Sequence, residues 1–156
     1  MLVFGRELFD KQSEAARRSP RLRINYNFHA SFEHPSQRVL NAMEPDSYAR
    51  PHRHPLQTKD ETFFILRGSF GALVFDETGN VREKALLRAG GELVGGNVPA
   101  GAFHTLVSLE SGSVFFEVKA GPYEAATEKE WAPWAPEEGS AEGQRYLADL
   151  KRLLTR

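Results

Sequence analysis

Residues 21–29 alternate, with Leu22, Ile24, Tyr26 and Phe28 on one face and Arg23, Asn25, Asn27 and His29 on the other. That two-residue period predicts a strand with one buried face, and its polar face suits either solvent or the wall of a barrel pocket. Upstream, Leu8, Phe9, Gln12, Ala15 and Ala16 recur at helical spacing over residues 7–18, and Ser19-Pro20 ends the run, which predicts a short leading helix. Downstream, short strands are predicted at 39–43, 62–66, 72–75, 93–98, 105–109 and 114–119, punctuated by Gly68, residues 76–80, Ala89-Gly90-Gly91 and Ser111-Gly112. Strand parity that turns Glu61 inward carries Phe63 and Ile65 inward as well and leaves Phe64 and Leu66 outside. Phe63, Phe64, Phe115 and Phe116 are read as core or strand-packing aromatics. Many short strands separated by turns predict an all-β jelly-roll barrel.

The pattern changes after Tyr123. Trp131-Ala132-Pro133-Trp134-Ala135-Pro136 holds too much proline for a helix or a central strand, so an extended arm is expected, its two Trp packing over the barrel or a neighbouring subunit. Ser140 is placed to cap a last helix whose Tyr146, Leu147, Leu150, Leu153 and Leu154 form an apolar stripe. Such a stripe needs cover, either from the barrel or from the partner of a homodimer.

Composition narrows the function classes. With 156 residues, 40% of them hydrophobic, one core is expected: a single domain over 1–156, its barrel at about 21–123 and its arm and helix at about 124–156. Twenty Lys and Arg against 21 Asp and Glu leave a formal charge of −1 with no basic block to track phosphates, which argues against a nucleic-acid partner. Met1-Leu2-Val3-Phe4 runs straight into Gly5, Arg6 and Glu7, so neither a signal peptide nor a membrane span is expected, and the expected location is the cytoplasm. The absence of Cys excludes disulfides, thiolate metal sites and a cysteine nucleophile, so any metal is held by nitrogen and oxygen.

Four residues then stand out: His52, His54 and Glu61, followed about forty residues later by His104. Side chains two apart on a strand share a face, so His52 and His54 both reach the interior, and a return strand brings His104 across to them. Three imidazoles and a carboxylate suit one divalent transition metal ion: Fe, Mn, Ni, Co or Zn.

The same residues resemble the two motifs of the cupin superfamily. The first reads here as His52-Arg53-His54, six residues, Glu61, six residues and Gly68; the second as Pro99, Gly101 and His104, with Ser108 in the place of the family's Asn. Asp46 stands where the family has its opening Gly, and the interval from Pro55 to Asp60 is longer than the family's, which makes Asp60 the nearest competitor of Glu61. The step of six residues to Gly68 favours Glu61. A longer resemblance, to the cupin-fold metalloproteins of the WbuC type associated with bacterial O-antigen gene clusters, rests on Asn25-Tyr26-Asn27-Phe28-His29, Gln37-Arg38, Asn41-Ala42, Ser47-Tyr48, Pro51-His52-Arg53-His54, the run from Glu117 to Tyr123, and Trp134-Ala135-Pro136.

That resemblance implies a cupin-type barrel with short terminal helices, a resident metal and a cell-surface polysaccharide context. Asn27, Arg38, Glu117 and Lys119 fall in these segments at predicted strand positions and are the candidate groups for a substrate. The leading expectation is a metal-dependent enzyme, of isomerase or oxygenase type, acting on a small polar carbohydrate or related metabolite. The alternative is a non-catalytic cupin that uses its metal to bind or sense a small molecule.

Overall fold

The computed structural model describes residues 1–55 and 59–155. The chain runs α1 (Arg6–Arg18), β1 (Arg23–Asn27), β2 (Ser36–Met43), β3 (His52–Arg53), β4 (Glu61–Arg67), β5 (Ser69–Phe75), β6 (Val81–Arg88), β7 (Gly95–Val98), β8 (Phe103–Ser108), β9 (Ser113–Ala120), β10 (Glu130–Trp131) and α2 (Ala141–Leu154). The strands form two five-stranded sheets, in the orders β1-β2-β9-β4-β7 and β10-β3-β8-β5-β6, with antiparallel neighbours throughout. Strands far apart in sequence lie side by side, β2 against β9 and β3 against β8, which is a jelly-roll arrangement. Residues 56–58, within the long interval before Glu61, lie outside the described residues.

Helices cover the two outer faces. On the first sheet, Ala16 of α1 packs with Leu40, Ala42 and Val114, flanked by Leu8, Phe9, Ile24, Tyr26, Phe28, Leu66 and Phe116. The apolar face read from residues 22–28 therefore lies under α1. Within the helix Ser13 is buried rather than Ala15, because its hydroxyl donates to the Gly112 carbonyl and accepts from Arg67.

On the second sheet, α2 and the arm pack over Leu73, Phe75, Phe103 and Val107 through Ala132, Ala135, Leu147, Leu150 and Leu154. Leu147, Leu150 and Leu154 of the expected stripe, with Tyr146 beside them, thus cover this barrel, while Leu153 is exposed. Ser140 caps α2 by accepting a hydrogen bond from the Gly143 amide at 2.9 Å. Trp134 stacks near Phe75, Phe103 and Tyr146, with ring centroids 5.0, 6.0 and 6.4 Å away. Trp131 pairs through β10 with β3 and stays 44% exposed on this chain.

Between the sheets lies a third cluster: Met43, Phe63, Ile65 and Phe115 from the first sheet against Phe70, Leu87 and Leu106 from the second. Phe63 and Ile65 point inward, Phe64 is half exposed and Leu66 packs under α1, as the alternation predicts. Strands β3, β6 and β10 carry little periodic signal. Of the eight residues of β6 only Leu87 is buried, and Arg82, Glu83, Lys84 and Arg88 mask the strand as a solvated run.

Candidate metal centre

His52 lies on β3, His104 directly across from it on β8, and Glu61 begins β4 of the opposite sheet. His54 follows β3 by one residue, and its carbonyl accepts a hydrogen bond from the Gly101 amide at 2.9 Å, which ties the two His-bearing segments together. Gly101 makes that turn at φ +80, a backbone region that strains side-chain-bearing residues. All four side chains are buried, and one donor atom from each lies within 4.8 Å of the others. That spread is little more than twice a metal–nitrogen bond of about 2.1 Å, so a single ion fits among them.

Hydrogen bonding fixes which ring nitrogen faces inward. The Nδ1 of His52 meets the Arg50 carbonyl at 3.2 Å, that of His54 the Glu128 carbonyl at 2.6 Å, and that of His104 the Ala102 carbonyl at 2.9 Å. A carbonyl only accepts, so each Nδ1 carries a proton, and in that tautomer the Nε2 lone pair of each ring faces inward. The Nε2 atoms of His52 and His104 are buried without a hydrogen-bond partner among the described residues. His54 Nε2 lies 2.8 Å from Glu61 Oε2, where two lone pairs face each other unless a proton or a cation intervenes. Unpartnered nitrogens and a facing carboxylate are what a divalent ion would satisfy, and the residues fit such an ion.

Electrostatics keep His52 neutral and Glu61 ionised. Burial, with the charge of Lys129, holds the His52 imidazole well below its ordinary range and therefore neutral. Burial works against ionisation of Glu61, but a proton or positive charge shared with the facing His104 and His54 rings, with the Lys119 ammonium, outweighs it and holds the carboxyl well below its usual value. Asp60 is directed elsewhere: it is exposed, and its Oδ1 accepts from the Ala100 amide at 3.0 Å. Glu61 is the carboxylate that joins the three His.

Around the four lies a buried ion network. Lys119 Nζ is 3.1 Å from Glu117 Oε1, 3.3 Å from Glu128 Oε1 and 3.8 Å from Glu61 Oε2. Burial alone would lower the Lys119 pKa, yet Glu117, Glu61 and Glu128 together raise it, so the ammonium persists. Behind it, Lys59 Nζ donates to Glu128 Oε2 and to the Pro122 carbonyl at 2.8 Å. Glu117 Oε2 accepts from Asn41 Nδ2 at 3.2 Å.

The centre opens on a cavity of about 500 Å³ between the sheets. Asn25, Asn27, His29, Gln37, Asn41, Glu117 and Lys119 line it from the first sheet. Arg50, His52, His104, Thr105 and Leu106 line it from the other side, with Lys129 and Trp131 as part of its wall. The polar face of β1 is thus a cavity wall. Asn27, Glu117 and Lys119 reach the cavity. Arg38 does not: it alternates with Gln37 and Val39, which line the cavity, and its parity partners Leu40 and Ala42 pack under α1. Phe115, read as a packing aromatic, also reaches the cavity.

Sequence reading passed over Lys59, Glu128, Arg50 and Lys129. Each lies on a connecting segment, where no period assigns a facing direction. Gln37 and Asn41 did carry a signal, since they alternate with Val39 and Met43.

No curated protein matches the chain in sequence. Similar solved structures include KdgF from Halomonas sp., 18% identical with a TM-score of 0.52 over 69% of this chain and 84% of that one. An oxalate decarboxylase from Bacillus subtilis is 16% identical with a TM-score of 0.52 over 70% of this chain and 31% of its own. The capsular polysaccharide assembling protein CapF from Staphylococcus aureus is 13% identical with a TM-score of 0.55 over 69% of this chain and 29% of its own. The chain therefore spans about a third or less of the latter two proteins. At these identities the likeness establishes the cupin fold. Residues 4–87, just over half of the chain, match the family described as a domain of unknown function, DUF6016, and the chain belongs to that family.

Proposed function

We propose that this protein is a metal-dependent cupin enzyme acting on a small polar carbohydrate or related metabolite in the assembly of a bacterial cell-surface polysaccharide. One observation carries this reading: three imidazoles, each anchored through Nδ1 to a backbone carbonyl, turn bare Nε2 atoms toward Glu61 at a cavity lined with amides and charges. His52, His54, Glu61 and His104 would hold the ion. A divalent ion there supplies Lewis-acid polarisation of a ligand carbonyl or hydroxyl.

The chain's own groups divide the remaining work. Glu117, oriented by Asn41 and Lys119, is an ionisable group that can hold or release a proton beside the centre. Asn25, Asn27 and Gln37 offer both donors and acceptors for hydroxyl groups. Phe63, Ile65 and Leu106 close the interior behind the centre and keep water out from that side. The polysaccharide context is supported by the resemblance to WbuC-type proteins and by the likeness of fold to CapF, named for capsular polysaccharide assembly. Among the described residues no helix is long and apolar enough to cross a membrane.

Elemental analysis of the purified protein beside its His52→Ala and His104→Ala variants tests the centre. About one transition metal ion per chain is expected in the parent and almost none in either variant. A parent that stays metal-free after supplementation, or variants with unchanged metal, would remove the centre. Metal-dependent turnover of candidate sugars supports the enzyme, whereas saturable binding without product would leave a metal-containing sensor.

A further inference from the structure

The cavity holds two cations that the metal centre does not explain. Trp131 stands beside His52, ring centroids 5.7 Å apart, and its indole is 44% exposed. Arg50 Cζ lies 6.0 Å from the centroid of that indole and Lys129 Nζ 5.8 Å from it. The other cations of the lining have carboxylates: Arg21 and Arg23 share Glu138, and Lys119 sits among Glu117, Glu128 and Glu61. Among the described residues neither Arg50 nor Lys129 forms an ion pair. Arg50 Nη2 donates to the Ala132 carbonyl at 3.1 Å, and its buried Nε has no partner.

Two positive charges at one aromatic ring, beside a site for a third, repel one another. Lys129 is solvent-exposed and lines the cavity, so its ammonium is open to whatever enters there. A neutral ligand would leave this strain in place. An oxyanion would relieve it, since guanidinium and ammonium both form their strongest hydrogen bonds with carboxylate or phosphate oxygens.

We infer that the ligand of this cavity is an acid: it carries a carboxylate or phosphate held by Arg50 and Lys129 beside Trp131, while its hydroxyls meet the metal centre and the amides of the first sheet. The inference deepens the proposed function and rests on its reading of the cavity as the metabolite site.

The test is a tryptophan-fluorescence titration of the full chain, metal-loaded and metal-stripped, with glucuronate, glucose 6-phosphate and glucose. One of the two acids is expected to bind at least about tenfold more tightly than glucose, and which acid does so identifies the group. Lys129→Gln is expected to abolish the preference and Lys129→Arg to keep it, with metal content unchanged in both. Glucose binding as tightly as both acids, no saturable binding of either acid, or undiminished acid binding by Lys129→Gln would overturn the inference. A failed metal centre reads differently: no metal in any sample, with the acid preference intact in the stripped protein.

Discussion

The same strands build two unlike interiors between the sheets. On β4, Ile65 and Phe63 give way to Glu61; on β9, Phe115 gives way to Glu117 and Lys119; on β8, Leu106 gives way to His104. At one end apolar side chains from both sheets fill the space, and at the other polar groups surround a cavity of about 500 Å³. The two ends are held by different physics. The dry end depends on close packing, and the wet end depends on each buried charge having a partner. Strand alternation keeps both in register, since inward positions two residues apart carry the change from one end to the other.

Truncation at the dry end separates the two most sharply. Phe63 is 2% exposed and touches the apolar cluster from the first sheet. Phe63→Ala is expected to cost about 3–5 kcal/mol in urea denaturation while the folded protein keeps its metal. Loss of metal in step with stability would show that the ends are one cooperative unit and break the contrast.

The wet end responds to charge instead. Lys59 and Glu128 are each 2% exposed and paired with each other. Glu128→Gln leaves two buried ammonium groups, Lys59 and Lys119, short of a carboxylate and is expected to cost about 3 kcal/mol. Replacing both partners of the Lys59–Glu128 pair by apolar residues of similar size is expected to recover part of that loss. A double variant as unstable as the sum of its singles would mean that packing, not pairing, governs this end as well.

Metal sharpens the contrast further. Free metal at about a hundred times its dissociation constant stabilises a folded binder by about 2.7 kcal/mol. A rise of that order is expected in the parent, and none in His104→Ala, by thermal melts with and without added metal. Phe63→Ala should show the full rise from its lower starting point.

The dry end and the four-residue cluster that could hold a metal were legible in the sequence because both follow the two-residue period. Phe63 and Ile65 share parity with Glu61, and His52 with His54, so a local pattern fixes where they point. Asn27, Glu117 and Lys119, chosen for their side chains at strand positions within the family-like segments, line the cavity. Arg38 was singled out by its side chain and its place in a family-like segment; with the strand begun at Ser36, alternation sets it on the face opposite Gln37 and Val39. Lys59, Glu128 and Lys129 had no such signal. Their positions come from tertiary closure of connecting segments, which local spacing does not encode. The edge strand β6 was hidden by its charges, since only one of its residues is buried.

The smallest effect is expected at the rim of the wet end, where Glu138 on the C-terminal segment pairs with Arg21 and Arg23 from the cavity lining. Burial tends to raise the Glu138 carboxyl, but hydrogen bonds from Arg21 and Arg23 and their charges hold it below its ordinary value. The folded pKa is thus lower than that of the unfolded chain, about 4.3, so the stabilisation is full above that value and fades as pH falls through the folded pKa. Because this pair is partly exposed and screened, Glu138→Gln is expected to cost only about 0.5–1 kcal/mol near neutral pH. In urea midpoints measured across acid pH, the gap between parent and variant should narrow below about pH 4 and then close. A gap that stays constant would assign Glu138 a packing role and place the rim with the dry end. A gap that closes places it with the buried charges, differing from Lys59 and Glu128 only in how much water reaches it.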